Sequence, residues 1–396
     1  MGRTRGHYVE RTWTGQPGAQ TSAERRGGKY RAFVPEPVAE FELLLPGEVA
    51  GALETASAAV RELNTSPRKL ASLEAIARHL LREESLASSR IEGLALGHRR
   101  VALADYDLEQ TDDQKAADIV GNIRAMTQAV ELGSEVKTIG PQDVLAVHRT
   151  LLGFGVDEPI AGRWREQQGW VGGQTPTHAA YVPPPHGEVP RLVEDLCSFM
   201  NRTDLPALAQ AAVAHAQFEN VHPFVDGNGR VGRCLIHTIL RRRGLTPNYV
   251  PPISIILAAR RDQYFAGLED FRGDGLYRWL DFFADTTDTA AREAEQLAAI
   301  MDALQAQWLE RFPRAPRADA AVRRVLAMLP AHPVLDVRVV MSRLGISERA
   351  AGAALGELEE VGVLTQVKKR SRGRVWECLD LFEALREFES KLRAVQ

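Results

Sequence analysis

Apolar residues recur at close to helical spacing along most of the chain. In "SLEAIARHLLREESLASSRIEGLALG" they fall at Leu73, Ile76, Leu80, Leu81 and Leu86, which predicts a helix that stops near Gly93 to Gly97. "DQKAADIVGNIRAMTQAVEL" and "GPQDVLAVHRTLLG" predict two more, and "EVPRLVEDLCSFMNR" and "PALAQAAVAHAQFENV" a further two. "RVGRCLIHTILRRRG" places Val231, Leu235, Ile239 and Leu240 on one side, with Gly244 as its stop. More helix follows to about Glu310.

The pattern fails in three places. Residues 1 to about 30 lack apolar periodicity and read as a mobile arm, or as a segment ordered only by packing against something. "FVPEPVAEFELLLP" follows, with prolines that disfavour helix. Between 163 and 185 the chain is rich in Gly, Pro, Trp and Thr, and "EQQGWVG" and "AAYVPPP" read as two short extended arms around a turn. "RFPRAPRAD", 311–319, reads as a linker. Beyond it, over 320–396, come three short helical stretches and an alternating segment, "VLTQVKKRSRGRVWECLD", with a basic tip. That order predicts a winged-helix domain.

Composition narrows the class. A chain of 396 residues predicts two or three domains. The net charge of -3, from 49 Lys and Arg against 52 Asp and Glu, gives no global sign of a nucleic-acid binder. Cys197, Cys234 and Cys378 are far apart and odd in number, which argues against a disulfide framework and a CxxC metal site. No apolar run is long enough to span a membrane, and the first residues lack a signal-peptide core and match a myristoylation site poorly. A cytoplasmic protein is expected.

The candidate chemistry sits in "HPFVDGNGRVGR", residues 222–233, where helical periodicity breaks. Gly227 and Gly229 flank Asn228 and let the backbone approach a ligand closely. A helix starts just after, so its free N–H groups and positive dipole end form an anion site. Arg230 and Arg233 leave that helix from nearly one face and suit a polyphosphate. Asp226 would pair with an Arg or, beside phosphates, hold Mg²⁺. His222 can take a proton from a hydroxyl. The set points to phosphoryl or nucleotidyl transfer, without a Walker loop.

The same twelve residues resemble the signature of the Fic family, HxFx[D/E]GNGRxxR, with every specified position filled. The resemblance implies a mainly α fold: a Fic-type helical core over 136–310 with a short β-hairpin flap, preceded by a helical region over 31–135 that carries an inhibitory helix. It implies an enzyme that transfers AMP from ATP, with Mg²⁺, to a Ser, Thr or Tyr hydroxyl of a target protein, itself included. His222 is then the general base, Phe224 the loop anchor and Asp226 the Mg²⁺ ligand. Gly227, Asn228 and Gly229 form the anion hole, and Arg230 and Arg233 contact phosphate, Arg233 towards the γ-phosphate. "GRWR" and the arms at 167–185 resemble the Fic flap, whose edge could hold a target segment by strand addition. Tyr264-Phe265 stands where the family often has Tyr-Tyr, which makes Tyr264 a candidate nucleoside contact beside a core-packing role.

Upstream, Ser88, Glu92 and Gly93 fit the family's inhibitory pattern [S/T]xxxE[G/N]. Glu92 would pair with Arg233 and deny it to the γ-phosphate. In some members the same glutamate supports removal of AMP, so a reversible enzyme is compatible with the resemblance, as is a homodimer. The C-terminal module carries Glu348, Glu357, Glu359 and Glu360 against Arg349 on its third helical stretch, which favours protein docking over DNA. The rival reading is a nucleotide-responsive DNA-binding regulator without turnover.

Overall fold

The computed structural model describes residues 5–15, 18, 21–65, 73–108, 111–154, 157–367 and 373–394. In chain order the elements are β1 (Gly6–Trp13), α1 (Ser22–Arg25), β2 (Gly28–Pro35), α2 (Gly47–Thr65), α3 (Leu73–Ile91), α4 (His98–Tyr106), α5 (Gln114–Glu135) and α6 (Pro141–Leu152). They continue with α7 (Val189–Met200), α8 (Ala207–Val221), α9 (Asn228–Arg242), α10 (Ile253–Ala259), α11 (Arg261–Arg272) and α12 (Leu276–Glu310). The chain then runs through α13 (Ala321–Met328), β3 (Val334–Leu335), α14 (Val337–Leu344), α15 (Glu348–Glu360), β4 (Thr365–Gln366), β5 (Trp376–Glu377) and α16 (Leu379–Ala394). The fold is mainly α. No helix among the described residues is long and apolar enough to cross a membrane.

The chain forms two compact units. One comprises residues 1–58, 124–246 and 260–288. Its core is built on α8, "ALAQAAVAHAQFENV", in which Ala and Leu give strong helix propensity and small side chains permit close approach. Nearly every residue of α8 is buried, the polar Gln210, His215, Gln217 and Asn220 among them. Val231, Leu235, Ile239 and Leu240 of α9 are buried with it. Trp279 of α12 donates its indole N–H to the Ala212 carbonyl (2.9 Å). At the start of α6, Pro141 occupies the first turn and Asp143 accepts the Gly140 N–H (2.8 Å), which supplies a partner outside the helix ladder.

The stretch expected as a mobile arm, or as a segment ordered by packing, contains β1 and the beginning of β2. They form an antiparallel ribbon from Gly6↔Pro35 to Trp13↔Gly28. Val9 and Trp13 turn inward from β1, and Ala32, Phe33 and Val34 of β2 are buried. Val9 and Trp13 are separated by exposed Glu10, Arg11 and Thr12, so β1 carries little periodic signal. Residues 1–4, 16–17 and 19–20 lie outside the described residues.

The second unit comprises residues 59–123, 247–259 and 289–396. Leu80 of α3, Leu297 and Trp308 of α12, Leu355 of α15 and Leu385 of α16 share one apolar cluster. The segment 311–319, expected as a linker, has no helix or strand and lies inside this unit. Asp336 caps α14 through the Val339 N–H (2.8 Å), and Gly345 ends that helix at φ 63°. The strands order as β3-β5-β4, antiparallel, with Leu335↔Trp376 and Gln366↔Trp376 in register. Most of the basic tip expected between β4 and β5, residues 368–372, lies outside the described residues.

Two networks of hydrogen bonds and ion pairs organise α3 in this unit. Glu84 is fully buried and accepts the Ser254 N–H (2.7 Å) and hydroxyl (2.5 Å) at the start of α10. On another side of α3, His98 Nδ1 pairs with Glu83 (3.2 Å) and His98 Nε2 with Glu389 of α16 (3.0 Å). Arg90 also reaches Glu389 (2.5 Å).

Candidate active site

The interruption between α8 and α9 is built from a left-handed residue. His222 closes α8 at φ 48° and ψ 60°, and among the described residues it alone combines a side chain with positive φ. Such a conformation costs about 1–2 kcal/mol for an L-residue, so surrounding contacts must hold it. They do. The His222 N–H donates to the Phe218 carbonyl (2.8 Å), and the His222 carbonyl accepts Arg165 Nε–H (2.9 Å). The imidazole is partly exposed, with Nδ1 3.9 Å from a Glu219 carboxylate oxygen.

Arg165, the last residue of "GRWR", was given no role from the sequence, yet it holds the loop. Its guanidinium also donates to the carbonyls of Gln167 (3.1 Å), Pro184 (2.6 Å) and Val221 (3.4 Å), and its N–H donates to the Pro223 carbonyl (2.9 Å). Burial pulls its pKa down to about 10, which leaves it charged at neutral pH. One buried arginine thus fixes both the turn at His222 and the two arms of 167–185.

Phe224 is the buried anchor of the loop. Its ring stacks on His148 (centroids 3.6 Å apart) and on Trp164 (4.9 Å). Asn228 closes the loop with its side chain: Oδ1 accepts the Phe224 N–H (2.8 Å) and Nδ2 donates to the Phe224 carbonyl (3.0 Å). The Asn228 side chain is therefore directed at the loop backbone, and its share in an anion site falls to its main chain.

His148 supports the loop from below. Nδ1 accepts the Gly162 N–H (2.9 Å), so Nε2 carries the proton and donates to the Asp226 carbonyl (3.0 Å). Burial pulls its pKa down to about 4 and keeps it neutral. Like Arg165, His148 was given no role from the sequence. Both act on main-chain carbonyls of residues remote in sequence, which no local motif encodes.

Gly227 caps α9 at φ 80°, and an added Cβ would lie 2.9 Å from the Leu151 side chain. The positive φ favours glycine here, and a side chain would also make Leu151 shift. The first N–H groups of the fifteen-residue helix α9 follow, with the positive end of its dipole. Asp226 projects its carboxylate outward, and Arg230 Nη2 meets it at 2.5 Å. Arg233 is buried, its Nη1 3.5 Å from the Tyr264 hydroxyl. That hydroxyl is 2.8 Å from His215 Nε2. Burial and then the charge of Arg233 hold the His215 pKa down at about 3. Tyr264 is therefore a buried neighbour of Arg233, and Phe265 beside it is exposed.

The arms at 167–185 make a single bridge rather than a full hairpin. Val171 and Tyr181 exchange both backbone hydrogen bonds, 2.8 and 3.1 Å, and Gly172 and Gly173 turn at positive φ. The Tyr181 hydroxyl donates to the Asn220 carbonyl (2.5 Å), which ties the returning arm to the end of α8. Glu92 lies in the second unit, in the turn after α3, where Gly93 at φ 81° ends the helix.

Taken together, the first unit gathers a partly exposed imidazole, a helix N-terminus, two arginines and an outward carboxylate on one twelve-residue segment. Such a set can bind an anionic chain and move a proton beside it.

The sequence model of the Fic/DOC family matches residues 138–240, and that of the Fic/DOC family N-terminal segment matches residues 50–131. The chain is similar to a Drosophila grimshawi protein named protein adenylyltransferase Fic, 33% identical over 150 residues. A Drosophila melanogaster protein of the same name is 32% identical over the same length. Each match covers 37% of this chain and 28% of the relative. Among solved structures, a Fic family protein from Desulfovibrio desulfuricans G20 aligns with a TM-score of 0.50 at 21% identity, over 85% of this chain and 97% of that one. A Fic domain containing signaling protein from Bacteroides thetaiotaomicron VPI-5482 aligns with a TM-score of 0.51 at 18% identity, over 63% and 97%. Those two structures support the fold.

Proposed function

We propose that this chain, a Fic/DOC family protein by its two matched segments, is a protein adenylyltransferase that moves AMP from ATP to a Ser, Thr or Tyr hydroxyl. The observation that carries the reading is the loop itself: His222, held by Arg165, stands ahead of a helix N-terminus flanked by Arg230 and Arg233. The matched relatives extend well beyond the aligned stretch, so substrate and regulation are argued from this chain's own residues.

In the proposed reaction the His222 imidazole takes the proton of the target hydroxyl. The oxygen attacks the α-phosphorus, forming one P–O bond as the bond to the β-phosphate oxygen breaks, and pyrophosphate leaves. Main-chain N–H groups at Gly229 and Arg230 face the phosphates, and the guanidiniums of Arg230 and Arg233 offset their charge. Asp226 fits Mg²⁺ only together with phosphate oxygens and water, because it offers a single carboxylate now shared with Arg230. Bound there, Mg²⁺ would supply charge neutralisation for the pyrophosphate. The arms at 167–185 would receive the target segment by strand addition.

Glu92 is proposed as the inhibitory carboxylate. Support comes from its place after α3, within the matched N-terminal segment, and from the [S/T]xxxE[G/N] spacing at Ser88, Glu92 and Gly93. By occupying Arg233 it would hold the α-phosphate out of line, where a misplacement of roughly 1 Å can cost about a hundredfold. The C-terminal module is proposed as a winged helix that docks protein. The order of α13, α14, α15 and the β3-β5-β4 sheet supports the first part, and exposed Glu348, Glu357 and Glu360 on α15 support the second.

The test is mass spectrometry of the Glu92→Gly chain incubated with ATP and Mg²⁺. One AMP added to a hydroxyl residue is expected, more than with the unaltered chain. His222→Ala should lose transfer and keep nucleotide binding. Transfer by His222→Ala at the unaltered rate would remove the proposed base.

A further inference from the structure

The proposed reaction makes no use of the N-terminal ribbon, yet the ribbon lies along the flap. Successive backbone groups of an extended segment face opposite edges. Tyr181 faces Val171, so Val182 turns its carbonyl the other way, and there it accepts the Phe33 N–H (2.9 Å). The order across these segments is β1, β2, the returning arm at 181–182, and the outgoing arm at 169–172. One edge of the returning arm is closed by β2 and the other by Val171. The edge left for strand addition is that of the outgoing arm, where Trp170 and Gly172 have no backbone partner among the described residues.

Side chains couple the outermost strand to that arm. Trp13, the last residue of β1, meets Trp170 edge-on with centroids 5.7 Å apart. Phe33 packs near the Tyr181 ring (6.4 Å), over which Arg272 lies at 4.2 Å. Tyr181 in turn donates to Asn220, two residues before His222. A continuous set of contacts therefore runs from β1 to the turn that carries His222.

We propose that the β1–β2 ribbon fixes the flap as the docking edge for an extended, hydroxyl-bearing segment of a protein substrate, with Trp13 as a positioning residue for that segment through Trp170. This inference rests on the AMP-transfer reading. Two bridge hydrogen bonds and two consecutive glycines give the outgoing arm little rigidity of its own. The indole of Trp13 supplies a rigid wall at the residue whose backbone must meet the incoming strand.

The experiment uses full-length chains carrying Glu92→Gly, with and without Trp13→Ala, Trp13→Phe or Trp170→Ala. Three quantities are measured. They are amide hydrogen exchange at residues 169–172, affinity for a non-hydrolysable ATP analogue, and transfer to synthetic peptides that each bear one Ser, Thr or Tyr. An aromatic edge contact is worth up to about tenfold in an equilibrium, so Trp13→Ala should raise exchange at 169–172 and the KM for an accepted peptide by about that factor. Analogue affinity and kcat should hold, and Trp13→Phe should restore most of the KM. If Trp13→Ala fails to fold, Trp170→Ala must give the same pattern from the flap side. Unchanged exchange, or raised exchange with an unchanged KM, overturns the proposal. Absence of transfer by the Glu92→Gly parent to any peptide and to itself would instead sink the AMP-transfer reading, and with it the docking role. The exchange result would then decide only whether the ribbon braces the flap.

Discussion

His148 beneath the motif loop and His98 at the start of α4 are both buried, and their surroundings drive them to opposite charge states. His148 meets a backbone N–H on one side and a backbone carbonyl on the other, and its pKa is pulled down to about 4 by burial. His98 meets two carboxylates. Burial opposes its charge, but Glu83 and Glu389 outweigh burial and raise its pKa to about 10. Glu389 is correspondingly held at about 2 despite its own burial, by His98 and Arg90. The lesson is that burial alone does not decide the state of a buried imidazole: a peptide partner on each side keeps it neutral, and a carboxylate on each side keeps it charged. The loop proposed to receive a polyanion is thus braced by a neutral ring. The helix that precedes Glu92 is held to α16 by an ionic clamp.

The largest effect should come from breaking the clamp. Glu389→Ala removes the carboxylate shared by His98 and Arg90 but leaves His98 with Glu83, so the cost should fall to about 2–3 kcal/mol, below that of breaking a fully buried pair. Urea unfolding followed by a probe in the second unit measures it. A loss below about 1 kcal/mol, the size typical of an exposed ion pair, would put the cluster in solvent.

Next is Gly227→Ala. Both its positive φ and a Cβ only 2.9 Å from Leu151 oppose the side chain, for a cost of about 1–3 kcal/mol. ATP-analogue affinity should fall with it, because α9 starts there. Unaltered stability and affinity together would mean that the loop relaxes freely.

A smaller effect is expected for His148→Gln. The amide can accept from Gly162 and donate to Asp226, so about 1 kcal/mol should be lost, chiefly in stacking on Phe224. His148→Leu leaves both backbone groups without a partner and should cost about 1–3 kcal/mol. Equal losses for Gln and Leu would deny the hydrogen-bonding role.

The most subtle test is pH, where the signs differ. Relative to the ordinary value of 6.5, the pKa of His148 is depressed to about 4. Between pH 6.5 and about 4 the unfolded chain takes a proton that the folded site refuses, so stability falls as pH falls. For His98 the folded value of about 10 lies above 6.5. Its contribution is complete below pH 6.5 and is lost as pH rises to about 10. Residue-resolved hydrogen exchange should therefore show protection around Phe224 weakening on acidification and protection around α4 weakening on alkalinisation. The same sign at both places would erase the contrast.

The loop above His148 was legible in the sequence, and the two buried histidines were not. "HPFVDGNGRVGR" is contiguous, and its glycines and charges break helical periodicity, so the loop could be read directly. The helices around it were readable from apolar spacing. The roles of Arg165, the last residue of "GRWR", and of His148 could not be read, because Arg165 binds a carbonyl 57 residues away and His148 one 78 residues away. Glu83, His98 and Glu389 come from three helices and look like ordinary surface charges along the chain. The ribbon β1–β2 reads in the sequence as a mobile arm or a segment ordered by packing, because Val9 and Trp13 of β1 stand four residues apart with exposed Glu, Arg and Thr between them.

One consequence follows from the left-handed turn at His222. Backbone sterics there penalise most residues, but Gly adopts that region freely and Asn adopts it readily. A single nucleotide change from His to Asn would therefore leave α8, the loop and the α9 anion site standing while removing the imidazole. The fold offers no protection against that change, so under the proposed reaction it is selection on the chemistry that would keep the histidine in place. A copy freed from such selection would keep the proposed nucleotide site and lose the proposed transfer. Under the proposed reaction, the step from AMP transfer to nucleotide binding alone is a single base change.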